Sequence, residues 1–116
     1  MPLPETVRIL SAAAEPSRLR ILAALRGRRL CVCELCAALG LKQSVMSQHL
    51  RVLRDAGLVR DSKNGLWVDY ELAPEARRGA LRAILDEAES DEVIRRDRKA
   101  VARADRARLC GSGKKA

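Results

Sequence analysis

The chain has 116 residues, a formal net charge of +8, 47% hydrophobic residues, one Trp, one Tyr and no Phe. That length suits one domain and excludes two, and no apolar run approaches the roughly 20 residues that span a bilayer. A small core of Leu, Ala, Val and Ile is expected to be completed by a second subunit, and the basic excess favours a polyanionic partner, either nucleic acid or an anionic membrane surface.

In chain order, the opening stretch has an acidic residue early and no basic run, so it does not read as a secretory signal, and a cytoplasmic location is expected. Pro4 opens a first helix, with Val7, Leu10, Ala13 and Ala14 at helical spacing. Pro16 opens a second, carrying Leu19, Ile21, Leu22 and Leu25 and ending at Gly27. Leu30 to Gly40 forms a third helix of about two turns, with Leu35 and Leu39 four apart. After the turn Leu41-Lys42, Gln43 to Gly57 forms a fourth, with Val45, Met46, Leu50 and Leu53 as its apolar stripe. Leu58–Ser62 and Leu66–Leu72 then flank Lys63-Asn64-Gly65, an Asn-Gly turn signal between β-prone runs. From Glu75 the chain turns helical again through Ala80, Leu81, Ile84, Leu85 and Ala88. Ser90-Asp91-Glu92 interrupts it, and Val93 to Leu109 continues as a very basic helix, either solvated or an additional DNA contact. The expected architecture is mostly α with a β-hairpin wing (α+β), a homodimeric winged helix-turn-helix. Residues 1–110 form its DNA-binding and dimerisation domain, and 111–116 a flexible tail.

The fourth helix offers a polar face of Gln43, Ser44, Ser47, Gln48 and Arg51. Gln pairs with adenine and Arg with guanine, and Ser serves a base edge or a phosphate. Lys42 at the turn, with Lys63 and Asn64 at the hairpin tip, suits phosphate or minor-groove contacts. The bland alternative is a merely solvated face, but helix-turn-helix, hairpin and basic charge together favour double-stranded DNA. His49, the only histidine, is assigned no chemistry. Trp67 and Tyr70, three apart in a strand, point to opposite faces, one into the core and one on the hairpin surface.

Cys31, Cys33 and Cys36 place three of the four cysteines within six residues. In a reducing compartment they are expected to be ligands or free thiols rather than disulfides, and thiolates suit soft ions. Arg28, Arg29 and the nearby helix N-terminus are expected to lower their pKa values. At about 100° per residue, Cys33 and Cys36 lie about 60° apart on one helical face, whereas Cys31 and Cys33 are about 200° apart. Either Cys31 lies outside the helix or a ligand must unwind the first turn. Since this helix braces the DNA-reading one, either distortion would move the reading surface. Cys110 is a bystander thiol or the fourth ligand of a zinc site. No nucleophile–base pair and no phosphate-cradling loop is present, so neither an enzyme, a small organic substrate nor an organic cofactor is expected.

Three stretches resemble the ArsR/SmtB family of metal-responsive repressors over roughly residues 5 to 90. They are Glu15-Pro16-Ser17-Arg18-Leu19-Arg20-Ile21-Leu22, the Cys31-Val32-Cys33-Glu34-Leu35-Cys36 box, and the run from Ser44 through Ser47, His49, Leu50, Leu53, Ala56 and Gly57 to Val59. The three-cysteine box looks like the arsenic- and antimony-sensing branch. That resemblance implies a homodimer on inverted-repeat operator DNA, controlling an arsenic-resistance operon. It would be released when trivalent arsenic or antimony (arsenite or antimonite) binds Cys31, Cys33 and Cys36. Residues 1–30 lack the N-terminal cysteines of the cadmium/lead branch, and residues 75–109 lack the histidines of the zinc and nickel branches. The alternatives are a thiol redox regulator, a Cd-, Pb- or Zn-responsive winged-helix regulator, or a structural zinc protein.

Overall fold

Proline-led starts and glycine stops divide the chain into helices. In a computed structural model, which describes residues 1–105 and 109, α1 spans Leu3–Ala13, α2 Pro16–Ala24, α3 Val32–Leu39, α4 Gln43–Asp55, α5 Gly79–Ala88 and α6 Glu92–Arg103. The strands are β1 (Leu30–Cys31), β2 (Val59–Asn64) and β3 (Trp67–Leu72). The tail 111–116 and Cys110, for which the sequence suggested a flexible end and a bystander thiol or zinc ligand, lie outside the described residues.

The start of α2 shows how local chemistry sets a boundary. Glu15 is extended, and its Oε1 accepts a hydrogen bond from the Arg18 backbone N–H at 2.9 Å, with Pro16 in the first turn. That N–H bond holds the Glu15 carboxyl below its ordinary pKa. Replacing Glu15 with Ala is expected to cost about 1 kcal/mol at neutral pH in urea unfolding. A lowered folded pKa contributes stability above the unfolded value and loses it as pH falls through the folded one. The gap between wild type and Glu15→Ala should therefore close below the ordinary carboxylate range.

The sheet is three-stranded and antiparallel, in the order β1-β3-β2. The hairpin register pairs Val59 with Leu72 and Asn64 with Trp67, so the loop is Gly65-Leu66 and Asn64 closes β2. Within that loop Gly65 takes the positive φ, +65°, as a two-residue loop with glycine first requires. The Asn-Gly signal located the hairpin but placed its turn one residue early. The third strand was not expected: Leu30 pairs with Tyr70 and Cys31 with Asp69, so α3 begins only at Val32. Beyond Pro74 the chain forms a 3-10 turn, Pro74–Arg77, and Arg78 is extended, so α5 starts at Gly79 rather than Glu75.

One core runs under all six helices and includes the fully buried Ile21, Leu22, Leu35, Met46, Leu50 and Leu53. Val45, placed in the stripe of α4 by spacing, is instead 38% exposed, because Met46, Leu50 and Leu53 alone face inward. Tyr70 packs against the core as one of the two strand aromatics was expected to.

The basic C-terminal helix, expected as a solvated end or an additional DNA contact, buries one stripe while Arg95, Arg96 and Lys99 stay exposed. Asp91 caps α6 by accepting from Val93 N and Ile94 N. Ile94, Asp97 and Val101 make its buried stripe, and it packs on α2 and α3. Its described span ends at Arg103, since Ala104 is extended.

On the opposite side, α1 and α5 leave an apolar surface open. Val7 and Leu10, at helical spacing on α1, are more than half exposed, and Ile84 of α5 is 42% exposed. A groove of about 1140 Å³ lies between α1, the α4–β2 junction and α5 and is lined by Ile9, Leu10, Leu58, Leu81 and Ile84. Among the described residues no helix is long and apolar enough to cross a membrane.

Candidate functional site

Two groups of residues converge on the α3–α4 unit. Gly40 ends α3 with φ +71°, a conformation open to glycine, and its N–H returns to Cys36 O at 2.8 Å. Leu41 and Lys42 then turn the chain into α4. Met46, Leu50 and Leu53 bury one face of α4, so Gln43, Ser44, Ser47, Gln48 and Arg51 are all exposed on the other. Lys42 is exposed at the head of the helix, and Lys63 and Asn64 are exposed near the wing tip.

Supports for this surface come from residues that the sequence reading passed over. Arg54 Nη1 donates to Asp61 Oδ2 at 3.2 Å, tying the last turn of α4 to β2 and hence to the wing. Arg18 of α2 donates through Nε to Ala12 O at 2.6 Å and lies 3.5 Å from His49 Nδ1 through Nη1. His49 therefore sits half-buried against α2. The Asn64 side-chain amide donates to the buried Asp69 at 3.0 Å, so this group shapes the wing from within while Lys63 projects from it.

The cysteines occupy the start of α3. Cys31 is fully buried, extended and the N-cap of α3, so the alternative in which it stands outside the helix is the one realised. Cys33 and Cys36 are half-buried within α3. Glu34 is 1% exposed; its Oε1 accepts from Cys31 N at 2.9 Å, and its Oε2 accepts from Arg28 Nη2. An acidic residue three positions after a cap is the capping-box signal, hidden here because the cap is Cys rather than Ser or Thr.

One expectation needs correcting. Burial, and then the proximity of Cys31, push the Cys36 thiol above its ordinary pKa, not below it. Arg28 and Arg29 do not counter this, because Arg28 is engaged by Glu34 and Arg29 lies 3.5 Å from Glu71. Among the described residues no three His, Cys, Asp or Glu side chains are grouped to hold a metal ion. The thiol donors are of the kind that suits a soft ion.

The sequence model of the ArsR family of bacterial regulatory proteins matches residues 15–61, which cover α2 to the start of β2. The chain is 41% identical to the arsenical resistance operon repressor of Escherichia coli (strain K12) over 71% of its own length and 70% of that protein. It is 39% identical to the transcriptional repressor SmtB homolog of Synechocystis sp. (strain ATCC 27184 / PCC 6803 / Kazusa), over 71% of this chain and 62% of that one. Its fold resembles Mb0332 from Mycobacterium bovis, a homodimeric winged helix-turn-helix DNA-binding domain, with a TM-score of 0.66 and 29% identity over 75% of this chain and 82% of that chain.

Proposed function

Because the chain belongs to the ArsR family of transcriptional repressors, DNA-binding regulators rather than enzymes, we propose that it is a cytoplasmic homodimer on operator DNA that lets go when trivalent arsenic or antimony binds Cys31, Cys33 and Cys36. The observation that carries this reading is the position of Cys31. It is at once the N-cap of α3, the partner of Asp69 in the sheet and a neighbour in sequence of two further cysteines.

The two subunits meet through the open apolar faces of α1 and α5, and the two α4 helices then enter successive major grooves. Gln43, Ser44, Ser47, Gln48 and Arg51 meet base edges and phosphates, and Lys42, Lys63 and Asn64 contact the backbone and the minor groove. Three thiols supply the sulfur ligands that a trivalent arsenic or antimony centre takes in place of oxygen. To bring its sulfur to Cys33 and Cys36, Cys31 leaves its cap position and gives up the Glu34 contact. The first turn of α3 then yields, and α4, packed against α3 and joined to it by only a short turn, shifts with it. The ligand shifts the equilibrium because the bound arrangement and the DNA-bound arrangement of α3 differ.

A second reading rests on the same three clustered cysteines, with thiol oxidation as the signal. One titration separates the two. A fluorescent duplex carrying the promoter upstream of the gene is bound by reduced protein and followed by anisotropy with arsenite, zinc, cadmium or peroxide. Release by micromolar arsenite supports the first reading. Release by peroxide with no response to arsenite replaces it with the second.

A further inference from the structure

We propose that α6 is a clamp on the DNA-reading unit, in which Asp97 and Arg20 act as positioning residues that set the angle between α3 and α4. The clamp lies outside the family's matched segment, residues 15–61, yet it is fastened to residues within it.

Asp97 is 3% exposed on the inner stripe of α6. It accepts a two-pronged contact from Arg20 of α2, Nε to Oδ2 at 2.7 Å and Nη2 to Oδ1 at 2.9 Å. The same Nη2 donates to Leu39 O at 2.8 Å. Leu39 is the last residue of α3, two residues before the Leu41-Lys42 turn that leads into α4. A helix end leaves its last carbonyls without helical partners, and a cation there is favourable. The planar guanidinium makes the linkage directional: with its Nε/Nη2 edge engaged by Asp97, the second N–H of Nη2 points to Leu39 O. Arg98 fastens the same helix again, donating to Ala23 O at 3.1 Å and to Glu89 at 2.6 Å. Near the other end of α3, Arg28 reaches both Glu34 and, at 3.4 Å, Ala104 O just past α6. Helix α6 thus holds α3 near both its ends through side chains of α2 and the loop after it. The exposed Arg95, Arg96 and Lys99 face away from these contacts.

This inference rests on the DNA-binding half of the proposed function and not on the thiol ligand. The test uses the full chain and a promoter duplex chosen because wild-type protein binds it, so a failure of DNA binding itself shows before any variant is made. Three variants are compared on that duplex and on one of random sequence: Asp97→Asn, the apolar pair Arg20→Met with Asp97→Leu, and Arg95→Ala with Arg96→Ala. Asp97→Asn is expected to weaken promoter binding about tenfold, the middle of the range for residues that act through a neighbour, with little change on random DNA. The apolar pair is expected to keep the wild-type Tm, since a buried ion pair can be replaced by apolar groups without loss of fold, and to show the same loss of preference. A purely structural role would spare promoter binding in that stable variant. The proposal is overturned if the apolar pair is folded and binds the promoter like wild type, or if only Arg95→Ala with Arg96→Ala weakens binding, which would make α6 a phosphate contact. If Asp97→Asn does not fold, the apolar pair decides alone.

Discussion

Protein carrying Cys31→Ser and Cys33→Ser together is expected to bind operator DNA with wild-type affinity and to remain bound at arsenite concentrations that release the wild type. The groups proposed to face DNA lie on α4 and the hairpin, and no cysteine is among them. Ser is a better helix cap than Cys, so α3 keeps its start at position 31. Cys33 is only half-buried and tolerates the exchange. With Cys36 left as the one thiol of the box, the arsenite needed for release should rise beyond the about 100-fold seen when mere supporting partners of ligands are removed. The check is the anisotropy titration under reducing conditions, with circular dichroism to verify the fold. Normal release of this variant by arsenite would remove the cysteine box from the sensing role altogether.

A second large effect is expected from Leu10→Asp combined with Ile84→Asp. Both side chains are well exposed in the single chain, at 54% and 42%, so the subunit itself should fold. If α1 and α5 join the two subunits, two buried carboxylates facing their own symmetry copies would prevent association. Sedimentation should report the monomer mass. Operator affinity should drop by about 10² to 10⁴, because the second half-site contact would no longer be made at the effective concentration that dimerisation supplies. A dimer that survives these changes would place the subunit interface elsewhere.

Helices were legible in the sequence because their punctuation is local. Pro16 and Gly40 sit where a helix can begin or end, and the spacing of Met46, Leu50 and Leu53 names the inner face of α4. The polar face of α4 followed directly, since a helix with one buried side presents the other. Long-range pairing left no such trace. Strand β1 has only two residues, and Leu30 and Cys31 look like the start of a helix until β3 is beside them. Likewise, Arg20 and Asp97 are 77 positions apart, and nothing local to either marks it as half of a buried pair. The thiol chemistry was misjudged for a related reason: Arg28 and Arg29 are adjacent to the cysteines in sequence, but in space the carboxylates of Glu34 and Glu71 claim them.

Trp67 is the only tryptophan of the chain, and it sits half-buried on β3, one residue past the Gly65-Leu66 loop at the tip of the wing. Excitation at the red edge of the protein absorption therefore isolates one chromophore in one place. Its emission is a built-in, label-free spectroscopic reporter on the wing. Stopped-flow traces of that emission can time the engagement of the wing with DNA separately from the arrival of α4, which carries no chromophore of its own.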